Sequence, residues 1–275
     1  MPFDVGGNIL DNIETGLINS TSIVRRGMML YLDAQNGNSY PGNGNIWYDL
    51  SGNGYDFTLV NSPVYGVYNR ATAFQFSGSN DYATRAGSIS HNVGAAGTVM
   101  IMMSSINNTN FGGCSRLVSF NDGSSVNNDY SDFFTLASCD ESKHGLWWRA
   151  SYGGVGGLYP TTSIKAANDP YRIISYKWTQ NNTAFVHVNG LQEASASIGG
   201  GFSQSAVQRM TIAMNSNLTI ENAYVRVAAV VIYDVELTNA EILQNYQFFR
   251  TRFEKYYDCG YGCQLYNYDP GCTVC

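Results

Sequence analysis

Apolar residues in this chain recur in short runs with a period near two, each run closed by Gly, Asn or Ser, and that pattern predicts strands joined by turns. Met28-Met29-Leu30-Tyr31-Leu32-Asp33 is the first such run, and the polar stretch Asn36 to Asn45 after it predicts a long loop. Trp47 to Gly54 sets an aromatic anchor before turn-forming Asp, Ser, Gly and Asn residues. Ala73 to Phe76, Thr98 to Met103, Arg116 to Phe120, Phe133 to Ala137 and Gly145 to Arg149 are further strand-sized runs, and Ser77 to Tyr82 predicts a turn. Ile173 to Trp178 and Thr183 to Val188 flank a polar connection of hairpin length. Asn189-Gly190 suits a type I′ turn that folds Leu191 to Ser195 back as the next strand. Met210 to Met214 and Tyr224 to Tyr233 close the series, the latter apolar enough to be central.

One segment breaks the period. Thr238-Asn239-Ala240-Glu241 reads as a capping box, and Ile242, Leu243, Tyr246 and Phe249 follow at helical spacing. Many short strands with one late helix exclude a βαβ architecture. They predict an all-β fold: a two-sheet antiparallel β-sandwich of jelly-roll type with one short C-terminal amphipathic helix. Met1 to Arg26 has no sustained period and reads as an N-terminal arm. Residues 27–250 form the sandwich, and residues 251–275 form a Cys-rich tail.

Composition narrows the class. The 275 residues are 44% hydrophobic but only 13% charged, with 20 Tyr and 29 Gly, so the surface is built from amides, hydroxyls and phenols. A formal charge of −6 opposes phosphate binding, and no nucleic-acid partner is expected. Met1 to Leu10 lacks the basic start and apolar run of an export signal. Val225 to Val235, the longest apolar stretch, contains Arg226 and Asp234 and is too short to span a bilayer as a helix, so no membrane insertion is expected.

Four elements carry a resemblance. Leu30-Tyr31-Leu32-Asp33-Ala34 comes first, and Trp47-Tyr48-Asp49-Leu50-Ser51-Gly52-Asn53-Gly54 second. Phe74-Gln75-Phe76-Ser77-Gly78-Ser79-Asn80-Asp81-Tyr82 and Ile232-Tyr233 with Leu237 to Tyr246 complete the set. In this order they resemble laminin G-like domains of the concanavalin A-like lectin/glucanase superfamily, of the kind found in bacteriophage and virus structural proteins. The resemblance covers about Gly27 to Arg250 and implies a concanavalin A-like sandwich. It further implies a virion structural protein, a capsid decoration or fibre-type component at the virion surface, assembled in the host cytoplasm. Capsid or other virion proteins would be its partners, in multiple copies or as a homo-oligomer, with a host-surface glycan as ligand. The alternative is an extracellular carbohydrate-binding adhesin. Related sequences commonly carry Asp where this chain has Ser77, a departure at a place through which a metal or sugar role would be inherited.

Catalysis is not expected. Glycosidases of that superfamily place carboxylates on alternate positions of one strand as Glu-x-Asp-x-Glu, and no such string occurs. Asp234-Val235-Glu236 is the nearest, and it reads as a solvated strand end. His91, His144 and His187 are far apart in sequence and signal no triad.

Three binding chemistries stay open. Asp49, Asn53, Asp56 and Asp81 offer oxygen ligands for Ca²⁺, although capping of local turns is the favoured reading. Trp147 and Trp148 fall on opposite faces of one strand, so one of them could stack on a sugar beside Tyr152 and Tyr159; packing in the core or under loops is the favoured reading. Cys259, Cys263, Cys272 and Cys275 suit disulfides or a zinc knuckle, disulfides being favoured, while Cys114 and Cys139 read as free thiols. The favoured readings require no cofactor, with Ca²⁺ at the turns and Zn²⁺ in the tail as the alternatives.

Overall fold

A computed structural model describes residues 22–91, 96–106, 115–121, 132–140, 143–150, 154–158, 171–179, 183–197, 207–214 and 222–253, with backbone alone for 132–140, 143–150 and 154–157. Among the described residues sixteen strands and one helix run in the order β1 (Met28–Asp33), β2 (Ile46–Trp47), β3 (Phe57–Val60), β4 (Val64–Tyr68), β5 (Ala71–Ser77), β6 (Tyr82–Ile89), β7 (Gly97–Ser105), β8 (Ser115–Asn121), β9 (Asp132–Asp140), β10 (Lys143–Ala150), β11 (Gly154–Leu158), β12 (Arg172–Trp178), β13 (Thr183–Val188), β14 (Leu191–Ser197), β15 (Val207–Ile212), β16 (Tyr224–Tyr233) and α1 (Asn239–Arg250).

The strands make two eight-stranded antiparallel sheets. Sheet A runs β14-β13-β12-β7-β16-β5-β4, with β1 pairing the second half of β16; sheet B runs β11-β10-β9-β8-β15-β6-β3-β2. The apolar β16 is central, as its sequence predicts. Its register spans β7 along one side and β5 then β1 along the other.

Two apolar layers follow from period-two alternation. The first fills the space between the sheets and includes Trp47, Phe74, Phe76, Phe120, Tyr176, Trp178 and Ile232, all at most 1% exposed. The second joins the outer face of sheet A to α1 through Tyr31, Met100, Met102, Ile173, Val231, Tyr233, Ile242 and Phe249. Trp178 packs so tightly on its cross-strand neighbour Gly97 that an added Cβ there would lie 2.4 Å from the indole.

Local signals hold up. Asn189 and Gly190 take φ of 50° and 83°, the left-handed pair that a type I′ turn needs, and Gly190 also packs against Leu243 and Tyr246 of α1. Thr238 accepts from the Glu241 N–H, and Glu241 accepts in return from the Thr238 N–H at 2.8 Å. Arg26 adds a 2.8 Å ion pair to the same carboxylate and holds its pKa down at about 2.

Beneath α1 lies a polar node that the sequence does not announce. Asn245 is fully buried; its Oδ1 accepts from the Val24 N–H at 2.8 Å and its Nδ2 donates to Tyr233 OH at 2.8 Å. Tyr233 OH donates in turn to the Val24 carbonyl at 3.1 Å. Ile23 and Val24, read from the sequence as part of the arm, are thereby fixed against the sheet and the helix. No described helix is long and apolar enough to cross a membrane.

Candidate functional site

One end of the sandwich gathers the loop after β2, the end of β6 and the end of β16. Trp47 anchors that loop, fully buried with its ring 4.8 Å from Phe74. Asp49 then organises it. Its Oδ1 accepts from the N–H groups of Tyr31 and Ser51, both at 2.9 Å; its Oδ2 accepts from the Tyr55 N–H at 3.1 Å and lies 2.7 Å from Ser51 Oγ. A carboxylate has about four lone-pair sites, and these partners use them. Asp56 Oδ1 accepts from the Asp49 N–H at 2.8 Å, and Asn53 Nδ2 donates to the Met29 carbonyl at 2.8 Å.

Asp81 does similar work at a second turn. It is 5% exposed, and both its oxygens accept from the Ser77 N–H while the Ser77 hydroxyl also donates to it. Ser77 thus serves as the donor to the carboxylate that closes the turn. A Ca²⁺ at Asp49 or Asp81 would have to displace these backbone donors. Among the described residues no cluster of three or more His, Cys, Asp or Glu is placed to share a metal.

The rim that this loop supports joins residues remote in sequence. Tyr55 OH lies 3.0 Å from His91 Nδ1 and 3.1 Å from Ser90 Oγ, and accepts from the Ser90 N–H at 3.3 Å. The Tyr55 and His91 rings meet edge-on, 5.6 Å apart. His91 Nε2 lies 3.9 Å from Asp234 Oδ2, with the two side chains 23% and 28% exposed. A phenol, a hydroxyl, an imidazole and a carboxylate thus sit side by side, Tyr55 buried, His91 and Asp234 half-buried and Ser90 exposed. The set can exchange several hydrogen bonds with a polar ligand. It is not a nucleophile triad, because Ser90 and His91 both address Tyr55 and not each other. Sequence reading passes over it because Tyr55, Ser90, His91 and Asp234 meet only once β6 and β16 are stacked.

The carboxylates nearest in sequence to a catalytic pair turn apart. Asp234 faces His91, whereas Glu236 forms a 3.1 Å ion pair with Lys177. His187 is fully buried on the outer face of sheet A. Its Nε2 lies 3.2 Å from Asn239 Oδ1, which places the proton on Nε2, and burial beside the Lys177 ammonium lowers its pKa to about 4.

The sugar-platform candidates fall largely beyond the described part. Trp147 and Trp148 stand in β10, in register with Thr135 and Phe134 on one side and with Gly157 and Gly156 of the edge strand β11 on the other; their side chains are outside the described part. Tyr152, Tyr159, Cys114 and the tail cysteines Cys259, Cys263, Cys272 and Cys275 lie outside the described residues, and of Cys139 only the backbone, in β9, is described.

No protein-family model and no curated protein matches the chain. Solved structures do match its fold. The botulinum neurotoxin serotype D binding domain superposes with a TM-score of 0.60 at 13% identity, over 82% of this chain and 52% of that one. The binding domain of Paraclostridial Mosquitocidal Protein 1 gives 0.59 at 15%, over 80% and 52%. Trypanosoma rangeli sialidase gives 0.54 at 13%, over 80% of this chain but 32% of the enzyme. The chain therefore shares a β-sandwich fold with these proteins, and it spans about half the length of the toxin binding domains it matches.

Proposed function

We propose that this chain is a non-enzymatic structural protein of a virus particle that displays its sandwich at the virion surface and recognises a host-surface glycan. The carrying observation is the polar rim of Tyr55, Ser90, His91 and Asp234 held rigidly at one end of a filled sandwich. Such a surface matches the alternating donors and acceptors of a sugar, and aromatic platforms complete sugar sites elsewhere. The divergence of Asp234 toward His91 and of Glu236 toward Lys177 speaks against paired-carboxylate hydrolysis. The virion setting rests on the resemblance of the Trp47 to Gly54 and Phe74 to Tyr82 strings to laminin G-like domains of phage and virus structural proteins. No cofactor is needed, with Asp49, Asn53, Asp56 and Asp81 acting as turn caps and Cys259, Cys263, Cys272 and Cys275 paired as disulfides rather than bound to zinc.

A second reading, a secreted adhesin outside any virion, draws support from the toxin binding domains that share the fold. Intact purified particles decide between the two. Stoichiometric recovery of the chain with virions, together with glycan-array binding lost on Tyr55→Phe or on removal of Trp147 or Trp148, supports the first. Glycan binding by a chain that never co-purifies with particles supports the adhesin.

A further inference from the structure

Among the described residues sheet A ends on β4, an edge strand whose one pairing-blocking feature is Pro63, just before its first residue. No charged residue occurs from Asn61 to Asn69, whereas the opposite edge, β14, carries Glu193. In sheet B the edge strand β2 is only two residues long. Val64 and Val67 of β4 are 58% and 71% exposed, the two most exposed large apolar side chains among the described residues.

The hydrogen-bonding parity of this edge is fixed by the turn beside it. Asn69 and Arg70 take φ of 46° and 76°, a two-residue type I′ turn between the paired residues Tyr68 and Ala71. Tyr68↔Ala71 is then a hydrogen-bonded pair, as are Gly66↔Ala73 and Val64↔Gln75 by alternation. The N–H and C=O groups of Tyr65 and Val67 consequently point away from β5, toward solvent.

We infer that a second copy of this chain pairs antiparallel with β4 about a two-fold axis at Gly66, joining two A sheets into one. In that register Tyr65 lies opposite Val67 of the second copy, and the outward groups of both residues close a ladder of backbone hydrogen bonds. Val64 lies opposite Tyr68 of the second copy. Every side-chain pairing is then aromatic with β-branched, the kind that stabilises antiparallel sheets. Gly66 meets Gly66 at the axis with no side chain between the strands. Arg70 falls opposite Ser62, so no like charges face each other despite the net charge of −6 on each copy. A five-residue ladder is a small interface, and its affinity belongs in the micromolar range, where many copies on one particle make it effective. The pairing names the partner for the multiple-copy reading but does not depend on any ligand.

Analytical ultracentrifugation of the full chain from about 1 to about 200 µM tests this. The mass rises from 30.1 kDa toward twice that value, and Val67→Lys holds it at the monomer throughout with an unchanged circular dichroism spectrum. Gly66→Cys supplies a second reading, since an added Cβ at Gly66 meets nothing nearer than Tyr68 OH at 3.4 Å. Oxidation should then yield a covalent dimer linked at position 66 by peptide mapping. A wild-type mass that stays at 30.1 kDa, self-association indifferent to Val67→Lys, or failure of the introduced thiols to link would each overturn the pairing. Glycan binding measured on the same samples reports separately on the ligand.

Discussion

Arg252 Nη1 donates to Asp33 Oδ1 at 2.7 Å, and the carboxylate it reaches is fully buried. Tyr31 OH donates to the other oxygen at 2.8 Å, and the Gln35 N–H to the first at 3.0 Å. The guanidinium also lies over the Phe249 ring, 4.9 Å from its centre. This ties the residues just past α1 to the end of β1, across the outer face of sheet A.

Arg252→Met keeps the stem on Phe248 and Phe249 but strands the Asp33 charge. Breaking a buried pair in this way costs about 3–5 kcal/mol, which urea unfolding of the variant should register. The double variant Arg252→Met with Asp33→Asn should recover much of that loss.

His187 is expected to make the fold acid-sensitive. Its folded pKa is about 4 against an ordinary 6.5, so between those values the unfolded chain takes up a proton that the folded chain refuses. Stability conferred by neutral His187 is complete above about pH 6.5 and is lost progressively as pH falls toward 4. Unfolding free energies measured from pH 7.5 to 4.5 should fall less steeply for His187→Gln than for the wild type. Parallel slopes would show that His187 does not carry the effect. The Glu241 contribution, lost only as pH falls from 4.5 toward about 2, occupies a separate window.

Asp49 is expected to act as a structural cap. Asp49→Ala releases the donors of Tyr31, Ser51 and Tyr55 together and should cost about 2–4 kcal/mol, with faster amide exchange through residues 49–56. Chelation by EDTA should leave the wild-type Tm where it is. A Tm that rises with added Ca²⁺ and is abolished by Asp49→Asn would instead make this loop a cation site.

Legibility in the sequence followed how strongly each element is constrained locally. The β12-β13-β14 meander and the α1 cap were readable to within a residue or two because turn chemistry fixes their ends: Asn189-Gly190 for one, Thr238 and Glu241 for the other. β2, β3, β4, β6 and β11 carry no such signal. β4 alternates poorly because its apolar residues sit at an exposed edge, and β6, Tyr-Ala-Thr-Arg-Ala-Gly-Ser-Ile, owes its place to pairing with β3 and β15 more than to its own propensity. The α1 stripe was only half visible. Ile242 and Phe249 are buried as their spacing implies, but the helix also buries Gln247 and Asn245, the latter held by partners on β16 and at Val24. The rim escaped for the same reason, since pairwise contacts across 36 and 143 positions, Tyr55 to His91 and His91 to Asp234, leave no local trace.

The central claim, a rigid display module that binds sugar without cleaving it, is tested most directly by incubating the purified chain with the glycans that an array identifies. Binding and the chemical integrity of the bound sugar should be followed in one experiment by mass spectrometry. The account predicts saturable binding that Tyr55→Phe or Asp234→Asn weakens at least about tenfold, with every glycan recovered whole. Release of shortened sugars by the wild-type chain, abolished by Asp234→Asn or Glu236→Gln, would contradict it.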